Sequence, residues 1–172
     1  DAGTVRLDGR DIGALTRKER ARLRRREVGF VFQFFHLLPS LSVAENVELP
    51  LLLDGAGRRT GARVRDLLDR VGIGHRAGHL PGELSGGEMQ RAAIARALVA
   101  QPRLVLADEP TGNLDSTTSR DIMALFDTLN EAGHTIVVVT HEHDIAQHAK
   151  RIITFRDGLV AEDIVNTQRT TH

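Results

Sequence analysis

Residues 104 to 109 read Leu-Val-Leu-Ala-Asp-Glu, an apolar run closed by two adjacent carboxylates. An uninterrupted apolar run of this kind is a buried parallel strand, and open α/β sheets place their ligands beyond the carboxyl ends of such strands. Asp108 is then suited to holding Mg²⁺, directly or through water, and Glu109 to orienting or deprotonating an attacking water. The alternative is two solvated turn acids ahead of Pro110. A second β-branched run, Thr135 to Val139, ends in Thr140 and His141 and brings an imidazole to the same edge. Gln33 closes a third strand that starts at Val28, and its neutral amide can touch a metal-bound water.

Residues 84 to 88, Leu-Ser-Gly-Gly-Glu, open a helix-forming run that reaches about Ala100, where Pro102 stops it. Two glycines there cost backbone entropy, but they let an anion approach bare N–H groups that the helix dipole already makes favourable. Ser85 as a plain helix cap accounts for one hydroxyl and leaves the paired glycines unexplained. Strand ends carrying Gln, Asp-Glu and His, with a phosphate-type helix start between them, are jointly a strong indication of phosphoryl chemistry.

The elements that position these residues are legible in outline. Val5 to Leu7, Asp8-Gly9 and Arg10 to Ile12 form a strand, turn and short return. Thr16 with Glu19, and Ser42 with Glu45, are capping boxes that open helices over residues 17–27 and from Val43. Val64, Leu67, Leu68 and Val71 make an apolar helical stripe ending near Gly72, and Ile122, Leu125, Phe126 and Leu129 make another, ended by Gly133. Strand, helix and strand in that order imply a parallel sheet. The predicted fold is an α/β domain with a helical subdomain over about residues 42–100, a closing hairpin over residues 151–161, and a loose polar tail from Asn166.

Composition sets limits on the partners. Lysine plus arginine (23) balances aspartate plus glutamate (23), so no global field favours nucleic acid or an acidic membrane. The basic run 17–26 has no aromatic stacking partner and reads as a solvated helix face. There is no cysteine, which is compatible with a reducing compartment, and no apolar run approaches the roughly 20 residues of a bilayer span.

The set Gln33, Leu84 to Glu88, Leu104 to Glu109, Asn113-Leu114-Asp115 and His141, in this order, closely resembles the nucleotide-binding subunit of ABC transporters. The likeness covers essentially the whole chain. The wording of residues 28–51 and 106–116 is similar to the branch holding lipoprotein-release and macrolide-export ATPases, the cell-division ATPase and antimicrobial-peptide pumps. The resemblance implies a P-loop NTPase-like fold, ATP and Mg²⁺ as cofactors, a head-to-tail homodimer or paired cassette, and transmembrane permease partners. It also implies a peripheral place on the cytoplasmic face of the cell membrane and no nucleic acid.

By the same resemblance Glu109 is the general base and His141 contacts the γ-phosphate, both catalytic. Ser85, Gly86, Gly87 and Glu88 serve the ATP held by the partner subunit, Asp115 crosses the dimer interface, and Asp108 and Gln33 lie on the metal. Phe34, Phe35, Leu37 and Leu38 are either core or a groove for the permease's coupling helix. The family's G-x-x-x-x-G-K-[ST] is not found: the lysines are Lys18 and Lys150, and neither follows a glycine. With Asp1 rather than methionine first, this predicts an N-terminal truncation, a sheet with an unfilled slot, and no ATP turnover by the 172 residues alone. Other readings are a non-catalytic regulatory module, against which intact Asp108, Glu109 and His141 argue, and a soluble ABC ATPase of translation or DNA repair. The latter would carry paired cassettes or coiled-coil insertions.

Overall fold

The computed structural model describes residues 3–55 and 60–167. Strands β1 (Arg6–Leu7) and β2 (Arg10–Asp11) pair antiparallel across Asp8 and Gly9, whose φ values of 51° and 77° are those of a tight hairpin turn. Helix α1 (Arg17–Arg26) starts at the Thr16–Glu19 capping box and buries none of its residues. Its basic face is nevertheless partly used. Arg25 donates to the Leu53 carbonyl at 3.0 Å and Arg26 pairs with Asp54 at 2.6 Å, so both satisfy the C-terminal end of helix α2 (Val43–Leu53).

Strands β3 (Val28–Phe32), β4 (Leu104–Asp108) and β5 (Thr135–Val139) form a parallel sheet in the order β3-β4-β5. Phe32 pairs with Asp108 and Asp108 with Val139. Gln33, Glu109 and Thr140, each one residue further on, therefore leave the sheet side by side at its carboxyl edge. Among the described residues β5 has a partner on one side only, and Val137 and Val139 on it are 44% and 58% exposed.

Helix α3 (Gly61–Arg70) packs its predicted stripe inward, burying Val64, Leu67 and Leu68. Helix α4 (Gly86–Leu98) is the centre of the molecule, touching β3, α2, α3 and helix α5 (Ser116–Glu131). It is nearly all buried on its alanine-rich side, where Ala92, Ala93, Ile94 and Ala95 are fully inaccessible. Close approach to β3 is what the small residues permit. A Cβ on Gly29 would lie 2.6 Å from the Ala97 carbonyl oxygen, a backbone atom that cannot swing away.

The remaining elements depart from the sequence reading at two points. Helix α6 (His143–Ala146), a single turn, was not legible in it; the segment that follows is held by a buried pair, His148 Nδ1 to Asp127 Oδ2 at 3.1 Å. Strands β6 (Arg151–Arg156) and β7 (Leu159–Val165) form the expected hairpin, but β7 is longer than the three residues read for it. Asn166 is not loose. Its N–H donates to Lys150 O at 2.9 Å and its amide to Gln147 O at 2.8 Å; the rest of the predicted tail, residues 168–172, lies outside the described residues.

Replacing Gly29 by alanine forces α4 and β3 apart. Gly29→Ala is expected to lower the unfolding free energy by about 1–3 kcal/mol, measured as a lower urea midpoint at an unchanged denaturant slope.

Candidate functional site

The carboxyl edge of the sheet assembles one candidate site from three strands. Glu109 has φ 45°, a left-handed backbone that a non-glycine residue adopts at a cost of about 1–3 kcal/mol, of the kind that gathers at functional sites. The turn is closed on both sides: Glu109 N–H donates to Val139 O at 2.9 Å, and Gly112 N–H to Glu109 O at 3.1 Å. Its carboxylate is aimed by the next strand. Oε1 accepts from the His141 backbone N–H at 2.9 Å and from His141 Nδ1 at 2.8 Å, and Oε2 accepts from Thr140 Oγ1 at 3.1 Å.

With Nδ1 donating to Glu109, the Nε2 side of His141 turns toward solvent on a side chain that is 82% exposed. The hydrogen bond from Glu109 and its negative charge raise the His141 pKa above the ordinary value of 6.5. Because the folded value is raised, the attraction is fully present below pH 6.5 and fades as pH climbs through the higher midpoint. Glu142 supports the same turn: its N–H donates to Thr140 Oγ1 at 3.0 Å, and its carboxylate accepts from Thr111 at 3.2 Å.

Gln33 lies over a saddle made by residues 112–113. A Cβ on Gly112 would come 2.7 Å from Gln33 Nε2, Asn113 Nδ2 donates to the Gln33 carbonyl at 2.9 Å, and Gln33 Nε2 reaches Asn113 Oδ1 at 3.4 Å. Asp108 is exposed at the end of β4, and among the described residues its carboxylate has no hydrogen bond or ion pair. An uncommitted carboxylate beside an amide, both oxygen donors, suits a hard ion that fills its shell with phosphate and water.

The Leu-Ser-Gly-Gly-Glu knuckle lies nearby rather than at the strand ends. Ser85 caps α4, with Glu88 N–H donating to Ser85 Oγ at 3.3 Å and Ser85 N–H to Glu88 Oε2 at 2.8 Å. The backbone bond from Ser85, then Arg76 at 2.7 Å, lowers the Glu88 pKa to about 2. Glu88 thus braces the knuckle through its carboxylate. The N–H groups of Gly86 and Gly87 meet no acceptor among the described residues.

The paired glycines have a second cause that the sequence did not disclose. A Cβ on Gly86 would come 3.2 Å from Leu114 Cδ2, and one on Gly87 2.6 Å from Thr118 Cγ2. The knuckle therefore packs directly on the start of α5. Asp115 caps that helix, accepting from Thr117 and Thr118 N–H at 3.0 Å and Thr118 Oγ1 at 2.6 Å, and these bonds lower its pKa, Thr118's hydroxyl most.

Two polar residues of α4 belong to the site and escape a reading of strand ends. Gln90, fully buried, donates from Nε2 to the Pro110 carbonyl at 2.7 Å, while its Oε1 has no partner among the described residues. Arg96 donates to the carbonyls of Phe35 and His36. Their one sequence signal is polarity on the face of an alanine-rich helix that must be buried. Of the apolar cluster after Gln33, Leu37 packs on the core, whereas Phe34 and Leu38 are 67% and 43% exposed and do not belong to it.

The model of the ABC transporter family matches residues 1–112. The lipoprotein-releasing system ATP-binding protein LolD 2 of Caulobacter vibrioides is 49% identical over 160 residues, 92% of this chain and 70% of that protein. A probable syringafactin export ATP-binding/permease protein, SyfD, of Pseudomonas syringae pv. syringae is 46% identical over 170 residues; they span 98% of this chain but only 26% of that protein. Among solved structures, the ATP-binding cassette MJ0796 in a dimeric post-hydrolysis state bound to ADP and Pi superposes with a TM-score of 0.83. The two are 42% identical, and the match covers 95% of this chain and 73% of that one. The chain belongs to the ABC transporter family, and its fold is that of an ABC ATPase cassette.

Two substitutions test the geometry. Glu109→Gln removes the charge beside His141, so the imidazole midpoint followed by NMR titration is expected to fall back toward 6.5. Gly87→Ala is expected to destabilise the fold by about 1–3 kcal/mol, and Thr118→Ser, which removes the methyl that the new Cβ meets, restores most of that loss in thermal melts.

Proposed function

Taking membership of the ABC transporter family as the premise, we propose that this chain supplies the ATP-hydrolysing machinery of a transporter of the export or lipoprotein-release type. The observation that carries the reading is Glu109, strained into the left-handed region with its carboxylate aimed by Thr140 and His141 at the common edge of three parallel strands. Glu109 takes the proton of a water whose oxygen bonds to the γ-phosphorus of ATP as the bond from phosphorus to the bridging oxygen of the ADP leaving group breaks. His141, fixed through Nδ1, offers its outward nitrogen to a γ-phosphate oxygen, and its raised pKa favours the donating, charged form.

Asp108, unpaired and exposed, and Gln33, seated on Gly112 and Asn113, would hold Mg²⁺. When bound, that ion neutralises charge on the phosphates. Ser85, Gly86 and Gly87 receive the γ-phosphate of an ATP held by a second cassette packed head to tail, for which the free N–H groups of the two glycines are the donors. Glu88 braces this knuckle from behind, and Asp115, while capping α5, stands beside the same interface. Exposed Phe34 and Leu38 dock a helix of a transmembrane permease. Among the described residues no helix is long and apolar enough to cross a membrane, and the cassette works from the cytoplasmic face.

In a cassette pair that contains a G-x-x-x-x-G-K-[ST] loop, reconstituted with its permease in proteoliposomes, Glu109→Gln is expected to cost at least about 100-fold in ATP turnover while ATP still binds. Turnover that survives the substitution would remove Glu109 as the base. The 172 residues alone, with no G-x-x-x-x-G-K-[ST], are expected to show no saturable hydrolysis in a phosphate-release assay.

A further inference from the structure

The segment that follows Gln33 carries two consecutive non-glycine residues in the left-handed region, Phe35 at φ 59° and His36 at φ 49°. Each is disfavoured by its own side chain, and nothing in the local sequence, which has no glycine between Gly29 and Gly55, asks for such a turn. Locally the turn is closed by Phe35 N–H to Phe32 O at 3.2 Å and His36 N–H to Phe34 O at 2.5 Å, and the carbonyls it turns outward are met from far along the chain. Arg96, on α4, donates from one guanidinium nitrogen to Phe35 O at 2.6 Å and from the other to His36 O at 2.5 Å. Among the described residues it forms no ion pair with a carboxylate, and burial pulls its pKa below the ordinary guanidinium value. Half-buried, the guanidinium spends two of its donors on adjacent carbonyls of one turn, a fork geometry that packing by itself does not require.

The flanks of the turn are fixed as well. Gln33 rests on Gly112 and Asn113, the Phe32 and His36 rings meet edge to face at 5.0 Å, and fully buried Asn46 accepts from Leu38 N–H at 2.7 Å and donates to the carbonyls of Leu38, Leu41 and Ser42 at 3.0 Å. Phe34, 67% exposed, is thus an aromatic side chain displayed from a braced loop, an anchor whose ordering entropy is spent before any partner arrives.

We propose that Arg96 is a positioning residue: its guanidinium holds the left-handed Phe35–His36 turn, so that the display of Phe34 and the place of Gln33 are set by the helix that carries the glycine knuckle. The partner that reads Phe34 is the permease of the functional reading above, but the tie itself does not depend on it.

The test is amide hydrogen exchange on the 172-residue chain, resolved by residue. Arg96→Gln is expected to speed exchange of the Phe35 and His36 amides, which donate to Phe32 O and Phe34 O, by about tenfold more than that of β4 or of α2. Adding His36→Gly, which removes the penalty for a left-handed residue, is expected to restore at least half of that protection. Uniform acceleration through β4 and α2, or effects of the two substitutions that simply add, would show Arg96 to be ordinary core packing and overturn the proposal. If Arg96→Gln does not fold, Arg96→Lys, which keeps the charge but cannot span both carbonyls, carries the same expectation and the same refutation. No nucleotide or permease enters this readout, so its failure leaves the hydrolysis reading standing, and failure of the hydrolysis test leaves this one standing.

Discussion

Everything in this cassette depends on how closely α4 lies against β3. The contact leaves no room for a single Cβ at Gly29, and it is closed by alanines rather than by large side chains. A helix this near to a sheet brings its polar residues within reach of the loops that leave the sheet. Gln90 reaches the carbonyl that follows the Glu109 turn, Arg96 reaches the turn after Gln33, and the N-terminal glycines touch the start of α5. One helix thereby fixes the relative places of two loops far apart in the chain, the one after Gln33 and the one from Glu109 to Asp115, because backbone carbonyls at loop positions need donors wherever water is excluded.

Burying those side chains is expensive, and one of them is only half satisfied. The unpartnered Oε1 of Gln90 carries a desolvation penalty of about 1–3 kcal/mol. Strain at Glu109 is a second expense of the same size. Both lie along one path, from the helix start that would hold a neighbour's phosphate to the carboxylate that would take a proton from water. Stability lost along that path is offset in the large apolar cluster formed by α2, α3, α4 and α5 against the sheet. The chemistry sits where the fold is dearest.

The glycine knuckle illustrates how one residue type can answer two demands. Gly86 and Gly87 leave N–H groups bare for an anion, and they also let α4 seat on Leu114 and Thr118. A side chain added there would stand over those N–H groups and push against α5 in the same stroke. In the proposed function, loss of phosphate contact and loss of packing are therefore coupled at these positions, and a compensating change at Thr118 would separate them.

How much of this was legible without coordinates follows from the range of each interaction. Capping boxes at Thr16, Ser42 and Ser85, the strands Val28–Phe32 and Thr135–Val139 and the apolar stripe of α3 are set by neighbours within four residues, so the sequence by itself determined them. It also determined which residues close the three strands, and hence that Gln33, Asp108, Glu109 and His141 are the candidates. The left-handed backbone of Phe35, His36 and Glu109, the seating of Gln33 on Gly112, the tether on Asn166, and the reach of Gln90 and Arg96 were decided only by the tertiary structure. Each of these joins groups 16 to 80 residues apart or sets a backbone that its own side chain disfavours, and no local preference encodes a contact whose other half arrives from elsewhere in the chain.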